Sequence, residues 1–230
     1  MTCVNAYLLN LQWQSEGGWL NFFTQEQGRL CVWANQQTLP PALREPFQTL
    51  VLWINKRGER FFLAQAEWRY GSRNQFRCAQ SLTSAYYLNE LMLYLLPVED
   101  PYPTLFARYP DYLKQLHHTS SRLTALRCFE LDLLEQLGLL ADLAHDCRTG
   151  EAIQPHYHYR FTHEHGFFRD AQGNMPGRVL LALKNRCFDT LESQRLSRLW
   201  LRNCLDYYLD GKALRSRQII AQLKNQGTPS

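Results

Sequence analysis

Residues 48–67 read QTLVLWIN-KRGE-RFFLAQAE, two apolar runs joined by Lys56-Arg57-Gly58-Glu59. Short runs rich in β-branched and aromatic residues, bounded by turn residues, are strand signals. Gly58 stands where a tight hairpin turn requires a positive φ. The stretch therefore reads as a β-hairpin, and the residues before it extend the pattern. Val4–Leu11, Gly18–Thr24 and Arg29–Ala34 are further short strand-like runs, punctuated by Gly17-Gly18 and Gln27-Gly28. Five strands in roughly 70 residues match a small closed or nearly closed barrel. The OB-fold is the commonest such barrel that binds oligonucleotides, and an SH3-like barrel fits the spacing nearly as well.

Toward the C-terminus the period changes after Ser72 from two to helical. Leu82–Leu96 places Leu88, Leu91, Met92, Leu95 and Leu96 at helical spacing, and Pro97 ends it. Asp100-Pro101-Tyr102-Pro103 reads as a rigid loop, followed by a helix over Thr104–Leu116. Leu123–Leu139 carries the strongest helical pattern, with Leu126, Phe129, Leu133, Leu134 and Leu137 on one face and Gly138 near its end. Ala141–Asn174 reads as irregular and is rich in His and Tyr. Arg178–Leu183 and Leu191–Leu209 are again helical, with Gly211 after the last. The expected architecture is α+β: an N-terminal five-stranded OB-fold barrel over residues 1–75, then an α-helical C-terminal domain over 76–230 with an irregular segment near 141–174.

The 230 residues are 45% hydrophobic and 13% aromatic, enough to bury a core. The formal charge of +4 points only weakly to a polyanionic partner, but it is unevenly spread. Asn89–Asp170 holds seven Lys/Arg against twelve Asp/Glu, and Gly177–Ser230 holds ten against four. A basic C-terminal third hints at nucleic acid, against the plainer alternative of a solvated Arg-rich helical surface. No run of about 18 apolar residues exists, so no membrane contact is expected. Met1–Asn10 lacks the features of a signal peptide. Seven scattered cysteines, Cys3, Cys31, Cys78, Cys128, Cys147, Cys187 and Cys204, fit reduced thiols in the cytoplasm. Phosphate-loop, nucleophile-elbow, zinc-protease and dinucleotide signatures are all absent, so no catalytic residue is assigned and no enzyme is expected. His117-His118 with Glu90 could be paired as an acid–base site only notionally.

Three stretches carry a resemblance to a known family. Ser84-Ala85-Tyr86-Tyr87-Leu88-Asn89-Glu90-Leu91, with Glu99-Asp100-Pro101-Tyr102-Pro103-Thr104-Leu105-Phe106, resembles the YxNELxxxLL…E…PxLF segment of the RecO family. Leu126-Arg127-Cys128-Phe129-Glu130, with Leu133-Leu134 and Leu137-Gly138, resembles its LRxFExxLLxxLG helix. Gly211-Lys212-Ala213-Leu214-Arg215-Ser216-Arg217 resembles its GKxLxSR motif. Ala6-Tyr7-Leu8-Leu9 and Phe23-Thr24-Gln25-Glu26-Gln27-Gly28-Arg29 match in the barrel. Order and spacing agree over nearly the whole chain.

The resemblance implies a cytoplasmic, nucleoid-associated mediator of DNA repair and recombination. Such a protein binds single-stranded and duplex DNA and anneals complementary strands. It holds the C-terminal tail of the single-stranded DNA-binding protein and helps load RecA together with RecR. The resemblance places Arg127 at the tail site, with apolar Leu126 and Phe129 beside it. A guanidinium at the mouth of an apolar groove suits a carboxylate-ended tail, although Glu130 or Asp132 could claim it as an ion-pair partner.

The chain departs from the family pattern after its third strand. Many relatives carry a basic AKGARxxxS loop there, whereas Ala34-Asn35-Gln36-Gln37-Thr38-Leu39-Pro40-Pro41 is shorter and uncharged. DNA contact by the barrel would then use Arg29, Lys56, Arg57, Arg60 and Arg69. Contact by the basic third, which also holds Arg186, would use Arg195, Arg198, Arg202, Lys212, Arg215 and Arg217. Arg195, Arg198 and Arg202 share one helix face. Trp53, Phe61, Phe62 and Trp68 are candidate stacking rings, and most are expected in the core. Some relatives hold zinc with four cysteines after the LxxLG helix. Here only Cys147 is present, with His145, His156, His158, His163 and His165 nearby, and the paired C-x₂-C spacing is missing. No metal or cofactor is expected. A second reading is an interaction adaptor that keeps the tail groove but has weak DNA affinity. A hydrolase is the third, and the absence of a clustered Asp/Glu motif counts against it.

Overall fold

The computed structural model describes residues 1–70, 76 and 78–226. The chain divides into two compact units, Met1–His118 with Ala213–Ser230, and Thr119–Lys212. The expected domain boundary after residue 75 lies outside the described residues.

The first unit begins with five strands: β1 (Thr2–Trp13), β2 (Gly17–Thr24), β3 (Gly28–Asn35), β4 (Thr49–Arg57) and β5 (Arg60–Tyr70). They close into a barrel in the order β1-β2-β3-β5-β4, with β1 pairing β4. The β3–β5 contact is parallel, through Val32↔Phe61 and Trp33↔Phe62, and the other pairings are antiparallel. This is an OB-type barrel, as expected. Alternate residues fill it: Val4, Ala6 and Leu8 from β1, Leu20 and Phe22 from β2, Leu30, Val32 and Ala34 from β3, and Leu50, Leu52 and Ile54 from β4. The hairpin turn is as read, with Gly58 at φ 58°.

The neutral loop after β3 closes on itself. Asn35 Oδ1 accepts from the backbone N–H groups of Gln37 and Thr38, and the fully buried Leu39 joins the barrel core. Asn and Ser/Thr side chains build such turns because they supply the acceptor the backbone needs.

Helices α1 (Ala79–Leu95) and α2 (Pro103–Gln115) follow, and α6 (Arg215–Gln226) returns to α1. Two side chains of α1 make the joints. Asn89, buried, donates to the carbonyls of Leu8 and Leu9 at 3.3 and 3.1 Å and accepts from the Tyr109 hydroxyl. Glu90 accepts from the backbone N–H groups of Arg215 and Ser216, both at 3.0 Å, and from the Ser216 hydroxyl. A carboxylate on the first N–H groups of a helix satisfies orphan donors and meets the positive end of the helix dipole. Helix α6 was not legible in sequence: apart from Ile219, Ile220 and Leu223 its residues are polar or small, and its cap comes from a residue 125 positions away.

The β2–β3 turn also meets the α1–α2 loop. The Glu99 N–H donates to Arg29 O at 2.9 Å, and a Cβ on Gly28 would lie 1.7 Å from Asp100 O. With φ at 68°, Gly28 is required both for its backbone conformation and for this approach.

The second unit contains α3 (Thr119–Gln136), three short strands, α4 (Gly177–Lys184) and α5 (Leu191–Leu209). Strands β6 (His158–Thr162), β7 (Gly166–Arg169) and β8 (Met175–Pro176) form a sheet in the order β7-β6-β8. The segment expected to be irregular is thus partly a sheet. Its organiser is Asp146, whose carboxylate accepts from the N–H groups of Arg148, Thr149 and Arg169. Burial acts to raise its pKa, but these three donors outweigh that and hold the carboxyl below its ordinary range. Such side-chain to backbone ties leave no periodic signal in a sequence.

Replacing Glu90 by Ala removes the α6 cap and should cost about 1–2 kcal/mol. Hydrogen exchange should show α6 amides losing protection while barrel strands β1–β5 keep theirs. Uniform loss across the unit, or no loss in α6, would contradict this role.

Candidate nucleic-acid and partner interface

The expected barrel cations divide into two groups. Arg29 is partly buried and committed: its Nε donates to Leu96 O at 2.9 Å and an Nη to Asn21 Oδ1 at 3.2 Å. Burial lowers its pKa. Lys56 pairs with Glu99 at 2.8 Å, and that hydrogen bond raises the lysine pKa. Arg69 donates to Asn5 Oδ1. Arg57 and Arg60 are exposed on the β4–β5 hairpin, with the Arg57 guanidinium 5.6 Å from the Phe62 ring centroid. Of the five, these two present the freest charge to an external phosphate.

Of the rings named from sequence, Phe61 is buried in the barrel core. Trp53 and Phe62 are partly exposed, and Trp68 is 49% exposed. Sequence reasoning missed Trp19 and Trp33, which pair across β2 and β3 with ring centroids 5.4 Å apart. The signal was available in the alternation: Leu20, Phe22, Leu30 and Val32 face inward, so Trp19 and Trp33 share the outer face with Asn21, Arg29 and Cys31.

Helix α5 presents Arg195, Arg198 and Arg202, all exposed, on one face. Arg202 has Asp206 at 3.6 Å, and Arg195 lies in the field of Glu192. Arg198 has no ion-pair partner among the described residues. Exposed Leu191 and Leu199 accompany this face. Lys212 and Arg215 are exposed, whereas Arg217 is partly buried with its guanidinium 5.6 Å from the Tyr87 ring. Arg186 bridges Asp132 at 2.7 Å and Glu135 at 2.6 Å. Burial would lower its pKa, but the two carboxylates raise it.

Arg127, Leu126 and Phe129 lie on α3, and the structure places them deeper than a groove mouth. Phe129 is fully buried, Leu126 is 8% exposed and the Arg127 side chain 12%. The Arg127 guanidinium binds Glu130 at 2.7 Å, the ion pair weighed at i+3, and Glu130 is itself buried. The histidines scatter: His145 contacts Asp142, His156 packs on Tyr157, and His163 stacks on Tyr207 with centroids 4.1 Å apart. Among the described residues no three His, Cys, Asp or Glu side chains stand together as metal ligands. Among them, too, no helix is long and apolar enough to cross a membrane.

These features define a class: an OB-barrel protein with an attached helical body, cationic and aromatic on its outer surfaces. Residues 79–218 match the family described as Recombination protein O C terminal. The chain is 32% identical to a DNA repair protein RecO of an Azoarcus species over 232 residues, covering 95% of each chain. It is 35% identical to that of Methylococcus capsulatus over 224 residues, covering 94% of this chain and 91% of the relative. That of Cupriavidus pinatubonensis is 34% identical over 215 residues, covering 89% and 73%. The chain belongs to the RecO family.

Arg127→Ala takes the guanidinium away from the buried Glu130 carboxylate and should cost about 3 kcal/mol. That corresponds to a fall in melting temperature of roughly 6–12 °C. Arg127→Met combined with Glu130→Leu should recover most of it. A melting temperature for Arg127→Ala within error of wild type would show that the pair contributes nothing to the fold.

Proposed function

We propose that this chain is a non-enzymatic DNA repair and recombination mediator. It binds single-stranded and duplex DNA, anneals complementary strands, binds the tail of the single-stranded DNA-binding protein and acts with RecR in loading RecA. This activity is cytoplasmic, at the nucleoid, and needs no metal or cofactor. Family membership over nearly the whole chain supports the reading. The observation that carries it is the α5 face, where Arg195, Arg198 and Arg202 stand exposed at the spacing of one helix side. Such a face neutralises phosphates, and annealing requires charge neutralisation that lets two strands approach, with no bond made or broken.

Tail binding at Arg127, with Leu126 and Phe129, requires the guanidinium to exchange Glu130 for the tail carboxylate. Arg127→Lys, which keeps the charge beside Glu130, is therefore a better probe of that site than Arg127→Ala.

The adaptor reading has one observation in its favour: the self-closed loop 35–41 puts no cation on its edge of the barrel. Fluorescence anisotropy with labelled oligo-dT and a labelled acidic tail peptide, each at low and moderate salt, separates the two. The mediator binds both, and its DNA affinity falls with salt by about 0.7–0.9 in logarithmic slope per neutralised phosphate. Reversing Arg198 and Arg202 to Glu should slow annealing of complementary oligonucleotides. Peptide binding without DNA binding would identify an adaptor, and unchanged annealing would make the α5 face a solvated surface only.

A further inference from the structure

The outer wall of the barrel carries a row of rings. Trp19 pairs with Trp33 across β2 and β3, and Trp33 pairs with Phe62 across β3 and β5, so the three stand on one rung. Their sequence neighbours Leu20, Val32 and Phe61 fill the core, which turns Trp19, Trp33 and Phe62 outward. Adjacent strands lie about 4.8 Å apart, so the row spans roughly 10 Å. All three rings are partly exposed.

Two features set this row apart from the helix-covered wall of the barrel. On the wall beside the helices the outward rings are covered: Tyr7 packs on Phe106 and Tyr109, and Phe23 on Phe106, and both are buried. Trp53 and Trp68 also stay partly or largely exposed, but they stand off the Trp19–Trp33–Phe62 rung. Among the described residues no helix ring packs on Trp19, Trp33 or Phe62. Trp33 is also seated closely, since a Cβ on Gly17 would lie 3.0 Å from its Cζ2.

The surroundings identify the occupant. At the β5 end the Arg57 guanidinium lies over Phe62 and Arg60 is exposed, with Glu59 the single acid on that turn. On the next outward rung Asn10 and Asn21 are hydrogen-bonded, and Arg29, two residues before Cys31 on β3, donates to Asn21. Rings flanked by the exposed Arg57 and Arg60 suit a chain that carries both flat apolar faces and negative charge. Only unpaired bases offer such faces, because duplex stacking hides them.

We propose that Trp19, Trp33 and Phe62 form a base-stacking platform for single-stranded nucleic acid, with Arg57 and Arg60 meeting its phosphates. The proposal rests on the nucleic-acid-binding reading above and specifies how the barrel achieves it. Because loop 35–41 is neutral, the grip on this wall comes mainly from stacking, which releases no counterions. The affinity contributed by the three rings is therefore insensitive to salt, whereas any contributed by Arg57, Arg60 and α5 falls with it.

The test uses the full chain with labelled oligo-dT at two salt concentrations, comparing wild type, Trp19→Leu/Trp33→Leu and Trp19→Phe/Trp33→Phe. The Leu double variant should bind about ten-fold or more weakly at both salts, with the salt slope unchanged, and the Phe variant should recover much of the loss. A wild type that binds, with Leu-variant affinity unchanged, overturns the platform and leaves the binding reading intact. A loss that also flattens the slope overturns it too, because those contacts would be to phosphate. A wild type that fails to bind overturns both. A measurement independent of variant folding is photo-cross-linking of wild type to an oligonucleotide carrying 5-iodouracil. Adducts mapping to Trp19, Trp33 or Phe62 support the platform, and adducts confined to other residues overturn it.

Discussion

The pair Asn89-Glu90 on α1 holds the first unit together. One side chain grips the carbonyls of β1, and the other caps a helix whose sequence begins 125 residues later. Both contacts exploit the same constraint: a buried or half-buried backbone group must find a partner, and a side chain on a rigid helix can supply one at low entropic cost. The β1 carbonyls bonded by Asn89 lie beyond Tyr7, where pairing with β4 ends. The α6 donors bonded by Glu90 have no intrahelical partner by definition. Removing either side chain leaves polar groups stranded, so the motif is structural before it is anything else.

This explains why several family-like stretches occur together. Ala6-Tyr7-Leu8-Leu9 meets the Asn-Glu-Leu segment through Asn89, and Gly211–Arg217 meets it through Glu90. The Gln27-Gly28-Arg29 turn meets Glu99-Asp100 by backbone contact. Much of what looks like a functional signature is the set of joints that fastens three helices to a barrel. Charges in those joints, such as Arg29, are spent on carbonyls and amides and have little left for a phosphate.

The second unit spends charge in the same way. Arg186 joins Asp132 and Glu135, and Arg127 joins Glu130, in places where an unpaired carboxylate would carry a desolvation penalty. Counting arginines by segment therefore overstates the charge offered to a ligand. Outward-facing surfaces among the described residues include the α5 face, the Arg57–Arg60 hairpin and the Trp19–Trp33–Phe62 row. These surfaces differ in physics, since charge neutralisation is long-ranged and screened by salt, whereas stacking is short-ranged and needs exposed base faces.

The sequence by itself determined the five barrel strands, the hairpin at Gly58 and helices α1 to α5 to within a few residues, because period-two and period-3.6 burial is local. It also carried the family resemblance that the comparisons bear out. It did not show α6, whose helix depends on a distant cap and on packing against α1. Nor did it show the three-stranded sheet in 158–176, which Asp146 ties down through backbone donors. Most of all it could not say which arginines were free. Arg29, Arg186 and Arg198 look alike in a list of residues, and only the folded chain decides that carbonyls and carboxylates claim the first two while the third stays in water. Ion pairing and stacking are set by distances of a few ångströms between residues far apart in sequence, and those distances exist only in the tertiary structure.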